Sequence, residues 1–138
     1  MTRTVFVVDE DFDGRHALGD LLEDHGWEAV RLSGPREALA ALAHLRPALV
    51  VTELWRPATP DGASFAALLA ETGRARSPVI VFTAWSTRGV MACLDIPVVS
   101  KPNIRMLLPL IEAALSPPAP ARAPRELSPA PAAASCTA

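Results

Sequence analysis

Leu49-Val50-Val51-Thr52-Glu53 is a short apolar run that stops on a carboxylate. A continuous apolar run of this length, without alternation, is what a parallel strand covered on both faces requires. Three further runs have the same form, and each ends on groups that handle phosphate or metal. Val5 to Val8 leads into Asp9, Glu10 and Asp11. Val79 to Phe82 leads into Thr83, and Ile96 to Val99 leads into Ser100 and Lys101. Lys101 is the only lysine in the chain and stands directly before Pro102. The other basic residues are arginines, which fits a compositional preference but does not account for the single exception.

Between these runs the apolar residues recur at helical spacing. Asp13 to Asp24 carries Leu18, Leu21 and Leu22, with Asp13 or Asp11 available as N-cap and Gly26 as a stop. Trp27 to Leu32 reads as a second strand. Ser33, Gly34 and Pro35 open a second helix with the face Ala38, Leu39, Ala41, Leu42 and Leu45; proline suits a first turn, where its missing N–H has no partner to lose. Ala48 to Glu53 is the third strand. Arg56 to Asp61 holds two prolines and is a loop, and Gly62 to Thr72 is a third helix with Phe65, Leu68 and Leu69. Pro78 to Thr83 is a fourth strand. Trp85 to Leu94 is too short, and too interrupted by Gly89, to be assigned a helix. Ile96 to Val99 is a fifth strand, and Asn103 to Leu115 a last helix that Pro109 should kink or distort.

Strands alternating with helices imply right-handed crossovers. The expected fold is therefore α/β, a five-stranded doubly wound parallel sheet with helices on both faces. Ligands of such sheets bind outside the carboxyl ends of the strands, near the switch in strand order. That rule gathers Asp9, Glu10, Glu53, Thr83 and Lys101 on one rim, although no local motif joins them.

The composition narrows the function classes. At 138 residues the chain suits one domain able to bury a core. A net charge of −2 supplies no basic footprint for nucleic acid. Cys93 and Cys136 make neither a disulfide framework nor a metal spacing. No secretory leader precedes the first strand, and no apolar stretch approaches the ~18 residues of a membrane span, so a cytoplasmic protein without membrane contact is expected. The folded unit is read as residues 1–116. Residues 117–138, rich in proline and alanine without apolar periodicity, read as a disordered tail.

The chain resembles the receiver domain of bacterial two-component response regulators. The resemblance covers about Thr4 to Leu115. It rests on Val-Val-Asp-Glu-Asp at 7–11, Leu-Val-Val-Thr-Glu-Leu-Trp-Arg-Pro at 49–57, Val-Ile-Val-Phe-Thr-Ala at 79–84 and Val-Ser-Lys-Pro at 99–102. It implies a flavodoxin-like topology and a phosphoryl group received from a histidine kinase. Under it, Asp9 and Glu10 match an acidic pair that holds Mg2+, Glu53 occupies the phosphoacceptor position and Trp55 lends its backbone carbonyl to the metal. Thr83 and Lys101 match the hydroxyl and ammonium that sense the phosphoryl group. Magnesium demands oxygen ligands in near-octahedral geometry, and phosphoryl transfer needs charge neutralisation and in-line positioning. The partner implied is a histidine kinase or another signalling protein. A homodimer through the last strand and last helix is a further expectation, because members of that family associate there.

The departures from that pattern bear on function. The family acceptor is aspartate, and the extra methylene of Glu53 moves the carboxylate by on the order of 1 Å, a displacement able to cost about a hundredfold in a positioned reaction. Glu10 carries the same lengthening. The loop before Asp61 and Gly62 is one residue longer than usual, the segment from Thr83 to Lys101 is about one helical turn shorter, and Val98 stands where an aromatic switch residue is usual. Glu53 can then be a surrogate for a phosphorylated aspartate, the remnant of a retired site in an atypical pseudo-receiver that works by protein contact, a slow acceptor, or an ordinary ion-pair partner of Lys101. In all but the slow-acceptor case the chain is a binding module and not an enzyme. The alternative is a small phosphatase resembling the haloacid-dehalogenase type, with Asp9 as nucleophile, Asp11 as acid, and Thr83 and Lys101. Such enzymes need a further acidic motif after the lysine, which this chain lacks. A flavodoxin-like cofactor domain would need a glycine-rich loop after the first strand. His16, His25 and His44 are read as surface or packing residues, Trp27 as core or boundary, and Trp85 as a core residue or a partner contact.

Overall fold

The computed structural model describes residues 3–85 and 95–115. The elements are β1 (Thr4–Val8), α1 (Phe12–Asp24), β2 (Glu28–Leu32), α2 (Pro35–Leu42), β3 (Leu49–Thr52), α3 (Gly62–Ala75), β4 (Val79–Thr83), β5 (Val98–Ser100) and α4 (Ile104–Leu115). The five strands form one parallel sheet in the order β2-β1-β3-β4-β5. The expected doubly wound α/β architecture is the one observed. The order turns at β1, whose neighbours are β2 on one side and β3 on the other.

Burial on both faces explains the unbroken apolar runs. Val5, Val7, Leu49, Val51, Ile80, Phe82 and Val99 face α1 and α4, packing with Leu18, Leu22, Leu107 and Ile111. Phe6, Val8 and Val50 face α2 and α3, packing with Ala38, Phe65 and Leu68. Each strand thus divides its residues between two cores at period two. Phe6, Leu22, Leu68, Leu107 and Ile111 are fully buried, so truncating any of them opens a cavity in close-packed surroundings.

Several boundaries differ from expectation, each for a physical reason. Helix α1 starts at Phe12 because Asp11, not Asp13, is the N-cap; its carboxylate accepts from the Gly14 amide at 3.0 Å. Helix α3 continues past Thr72 to Ala75 and closes at Arg76, which takes a left-handed conformation with φ 55°. Gly73 is inside the helix. Strand β5 begins at Val98 and not at Ile96, because Pro97 has no N–H to donate; its carbonyl still accepts from Val81 N at 2.9 Å. Helix α4 runs through Pro109, so the proline expected to kink or distort the helix does not end it. Pro109 lies on the exposed face, where water can reach the carbonyl that its ring leaves unpaired. Most of the segment from Trp85 to Leu94, and the tail from residue 116 on, lie outside the described residues.

Gly62 is required at the start of α3. A Cβ there would run into the carbonyl oxygens of Arg56 and Pro57. The proline-bearing turn between β3 and α3 is closed by Thr59, whose amide and hydroxyl both donate to Arg56 O, at 3.0 and 2.7 Å. No helix among the described residues is long and apolar enough to cross a membrane.

Candidate functional site

Sheet register brings the predicted residues to one rim. Val8 pairs with Thr52, so Asp9 and Glu53 leave adjacent strands at the same level, and Glu53 N donates to Val8 O at 2.8 Å. Thr83 pairs with Ser100, and Lys101 extends that ladder by donating its amide to Thr83 O at 2.9 Å. The Lys101–Pro102 peptide is cis. From β5 the Lys101 side chain crosses above Phe82, its Nζ 5.6 Å from the ring centroid. It ends between the strands that carry the two carboxylates.

The result is a three-membered charge cluster. Lys101 Nζ donates to Asp9 Oδ2 at 2.6 Å and to Glu53 Oε2 at 2.7 Å. The other oxygen of each carboxylate is also engaged: Asp9 Oδ1 accepts from Asp11 N at 2.9 Å, and Glu53 Oε1 accepts from Leu54 N at 2.8 Å. The side chains of Asp9 and Glu53 are 10% and 11% exposed and that of Lys101 23%, so these ions are largely withdrawn from water. Burial works to lower the Lys101 pKa, but the hydrogen bonds and charges of Asp9 and Glu53 outweigh it, and the pKa is raised. Asp9 and Glu53 thus share one pattern, each holding a nearby backbone amide with one oxygen and the lysine with the other. Arg15 Nη1 donates to Asp9 O at 2.7 Å, fastening α1 to the same rim.

The Glu10 carboxylate and the Thr83 hydroxyl make no hydrogen bond to this cluster among the described residues. Glu10 is exposed, and no hydrogen bond or ion pair among the described residues connects it to Asp9, Glu53 or Lys101. Thr83 is fully buried, and its Oγ1 accepts from Trp85 N at 3.1 Å. No hydrogen bond among the described residues joins that hydroxyl to Glu53. Trp55 turns inward against Phe65, with ring centroids 5.7 Å apart, as part of the second core. Trp85 is 51% exposed and not core, and the Arg56 guanidinium covers its ring at 4.1 Å from the centroid. Sequence reasoning passed over Arg56 and Arg15, since a single arginine in a loop or helix carries no pattern that marks it. His25 Nδ1 donates to Leu21 O and its ring stacks on Trp27, while His16 packs on Phe12; no hydrogen bond among the described residues links either to Asp9 or Glu53. A groove of about 880 Å3 lies at the opposite end of β4 and β5, lined by Leu69, Ala70, Ile96, Leu110 and Ala114, and has no part in this chemistry.

Solved structures share this architecture over most of the chain. The chemotaxis protein CheY4 of Vibrio cholerae superposes with a TM-score of 0.69 at 21% identity, covering 83% of this chain and 100% of its own. The response regulator TrrA of Thermotoga maritima, in complex with Mg2+–BeF, gives 0.68 at 22%, with 83% and 100% covered. A response regulator receiver protein of Burkholderia phymatum gives 0.68 at 25%, with 83% and 95% covered. The chain has the response-regulator receiver fold. No protein-family model and no curated protein matches the sequence.

The receiver fold bears on the two chemistries considered for this rim. The phosphatase alternative is not favoured: the Asp11 carboxylate, which it needs as the acid, caps α1 at Gly14 N. The receiver fold also implies Mg2+, for which Asp9, Glu10, Glu53 and the Trp55 carbonyl are the donors by resemblance. They do not fit that ion as arranged. Among the described residues no group of three or more carboxylate, imidazole or thiol side chains is placed to hold a metal. The two carboxylates that do converge enclose an ammonium at 2.6 and 2.7 Å, against ~2.1 Å for a magnesium–oxygen bond.

Proposed function

We propose that this chain is a receiver-fold signalling module that acts by protein contact without accepting a phosphoryl group, Glu53 serving as the permanent partner of Lys101. One observation carries the reading: both Glu53 oxygens are occupied, one by Lys101 Nζ at 2.7 Å and the other by Leu54 N at 2.8 Å. A nucleophilic carboxylate must present a free oxygen in line with the phosphorus and keep it there. One hydrogen bond on each Glu53 oxygen leaves one lone pair apiece, and those two bonds fix where the remaining lone pairs point. Nor is Glu53 a full surrogate for a phosphorylated acceptor, because the Thr83 hydroxyl is held by Trp85 N and not by the carboxylate.

Contact with partners is supported by the surroundings of the rim. Phe12, Trp85 and Met106 follow the carboxyl ends of β1, β4 and β5, and they are 62%, 51% and 62% exposed. Large apolar side chains around a locked charge cluster offer anchors of the kind that dominate protein interfaces. The partner class is a histidine kinase or another signalling protein, and the exposed Met106 and Leu110 of α4 extend the same surface towards self-association.

The test is incubation with acetyl phosphate, and separately with beryllofluoride, in the presence of Mg2+. The Trp55 and Trp85 emission and the intact mass are recorded. Neither should change. A saturable emission change with beryllofluoride, or a mass increase that is lost in Glu53→Gln, would sink the proposal.

A further inference from the structure

The groove at the amino ends of β4 and β5 lies away from the charged rim, and the chain itself supplies a segment that suits it. We propose that residues 117–125 fold back into this groove as an extended intramolecular ligand. The inference goes beyond the reading above and does not depend on what Glu53 does.

Position is the first support. Helix α4 starts after β5 at the carboxyl rim and runs back to the opposite end of the sheet, where its last turn, through Ala113 and Ala114, is one wall of the groove. The chain beyond Leu115 therefore leaves α4 at the groove's edge. Another wall is α3, which presents Ala66, Ala70 and Gly73, exposed small residues at helical spacing that let a backbone come close. At an extended rise of about 3.1 Å per residue, residues 117–125 cover about 28 Å, against about 10 Å along α3 from Ala66 to Gly73. Reach is not limiting.

Chemistry selects the segment. The groove's hydroxyls are already engaged: Thr72 Oγ1 donates to Leu69 O at 2.9 Å, and Ser77 Oγ to Pro47 O at 3.3 Å. The Pro78 and Pro97 carbonyls accept from Val50 N and Val81 N, both at 2.9 Å. An ordinary peptide laid there would bury amides without partners, each at a cost comparable to a lost hydrogen bond. Residues 117–125 read Pro-Pro-Ala-Pro-Ala-Arg-Ala-Pro-Arg, so four of the nine have no N–H to bury. Such a sequence also favours the polyproline geometry before it binds, which lowers the entropy lost on docking. With three residues per turn, Pro118, Ala121 and Pro124 share one face and Arg122 and Arg125 the next. Asp95 is the only charged residue among the described residues that line the groove, and those two arginines are the first charges beyond α4. Docked there, the segment covers Leu110 and Ala113, on a surface of α4 otherwise open to a second copy.

The experiment is paramagnetic relaxation enhancement on the isotope-labelled full chain. It carries one nitroxide, at Ala123→Cys with Cys93→Ser and Cys136→Ser, so that the label sits on the third face of the segment. A short tether supplies an effective concentration in the millimolar range, so a contact with a Kd of about 1 mM is about half occupied. The amides of Ala66, Ala70 and Ile96 should lose about half of their intensity or more, and those of Glu28–Leu32, at the far edge of the sheet, should lose none. Ala70→Arg places a long cation in the groove from an exposed helical position that accepts arginine, and should restore the Ala66 and Ile96 intensities. Groove amides broadened no more than those of β2 overturn the inference and leave the groove to another occupant. So does broadening that Ala70→Arg does not change. Broadening that is lost on dilution by about tenfold overturns it as well, because it places a second copy's segment there. None of these outcomes bears on the acetyl phosphate result, so the two proposals fall separately.

Discussion

Lys101→Met removes the charge from the centre of the rim while keeping an apolar stem of similar length to pack above Phe82. Two charge-assisted hydrogen bonds disappear, each of a kind that contributes about 1.5–3 kcal/mol. The two carboxylate oxygens that shared the ammonium at 2.6 and 2.7 Å lie at most 5.3 Å apart. With an effective dielectric constant near 20, their unscreened repulsion is about 3 kcal/mol. Against this, a methionine loses less on desolvation than an ammonium does, the site is 23% exposed at the lysine, and the carboxylates can move apart or take up a proton. Removing one partner from a buried ionic cluster typically costs about 3–5 kcal/mol, and the partial exposure places this site at the lower end, about 3 kcal/mol. Urea unfolding followed by the emission of buried Trp55 should show a midpoint lowered by roughly 2 M with an unchanged slope. A loss under about 1 kcal/mol would refute the reasoning, since it is how an exposed, solvent-screened ion pair behaves.

Other consequences follow from single contacts. The raised pKa of Lys101 means that its stabilising contribution is complete below the ordinary lysine value of about 10.4 and is lost as pH rises through the folded value. Thermal melts between pH 9 and pH 12 should therefore fall more steeply for the natural chain than for Lys101→Met. Gly62→Ala pushes a methyl group into two backbone carbonyls that cannot move aside, and should destabilise by about 1–3 kcal/mol in urea unfolding. Asp11→Ala removes the cap of α1 and should cost about 1 kcal/mol, with amide exchange accelerated in the first turn and not in α3. Gly19→Ala would displace the Arg31 guanidinium that lies over that glycine and pairs with Asp20 and Glu23, so it should remove most of the benefit of those two ion pairs.

The fold was legible because its signal is local and repeated. Four apolar runs with no alternation can satisfy burial only as central strands between two helical layers, and the helices between them show their own period. The misses fall where one residue outweighs a pattern. Pro97 delays β5 by withholding an amide, and Asp11 wins the cap of α1 because its carboxylate reaches Gly14 N. For the site, the alignment of Asp9 with Glu53 follows from strand ends alone, and Lys101 drew attention as the sole lysine. Glu10, Thr83 and Trp55 were placed in the same set by resemblance; among the described residues no hydrogen bond joins the Glu10 carboxylate or the Thr83 hydroxyl to the Lys101 cluster, and Trp55 enters the set through its backbone carbonyl, whatever its ring does. Strand position says which residues reach a rim, not where their terminal atoms point.

By itself, the sequence determined the parallel sheet, the residues delivered to its carboxyl rim, and the extra methylene at position 53, since each depends on residue type and short-range period. Only the tertiary structure decided what those residues do to one another. Lys101 stands 92 positions from Asp9 and 48 from Glu53, yet its ammonium bonds both. Whether such groups meet depends on register, on the stem crossing Phe82 and on the direction in which each carboxylate points. Those are differences of about an ångström, to which hydrogen bonds and metal coordination are acutely sensitive and sequence spacing is blind.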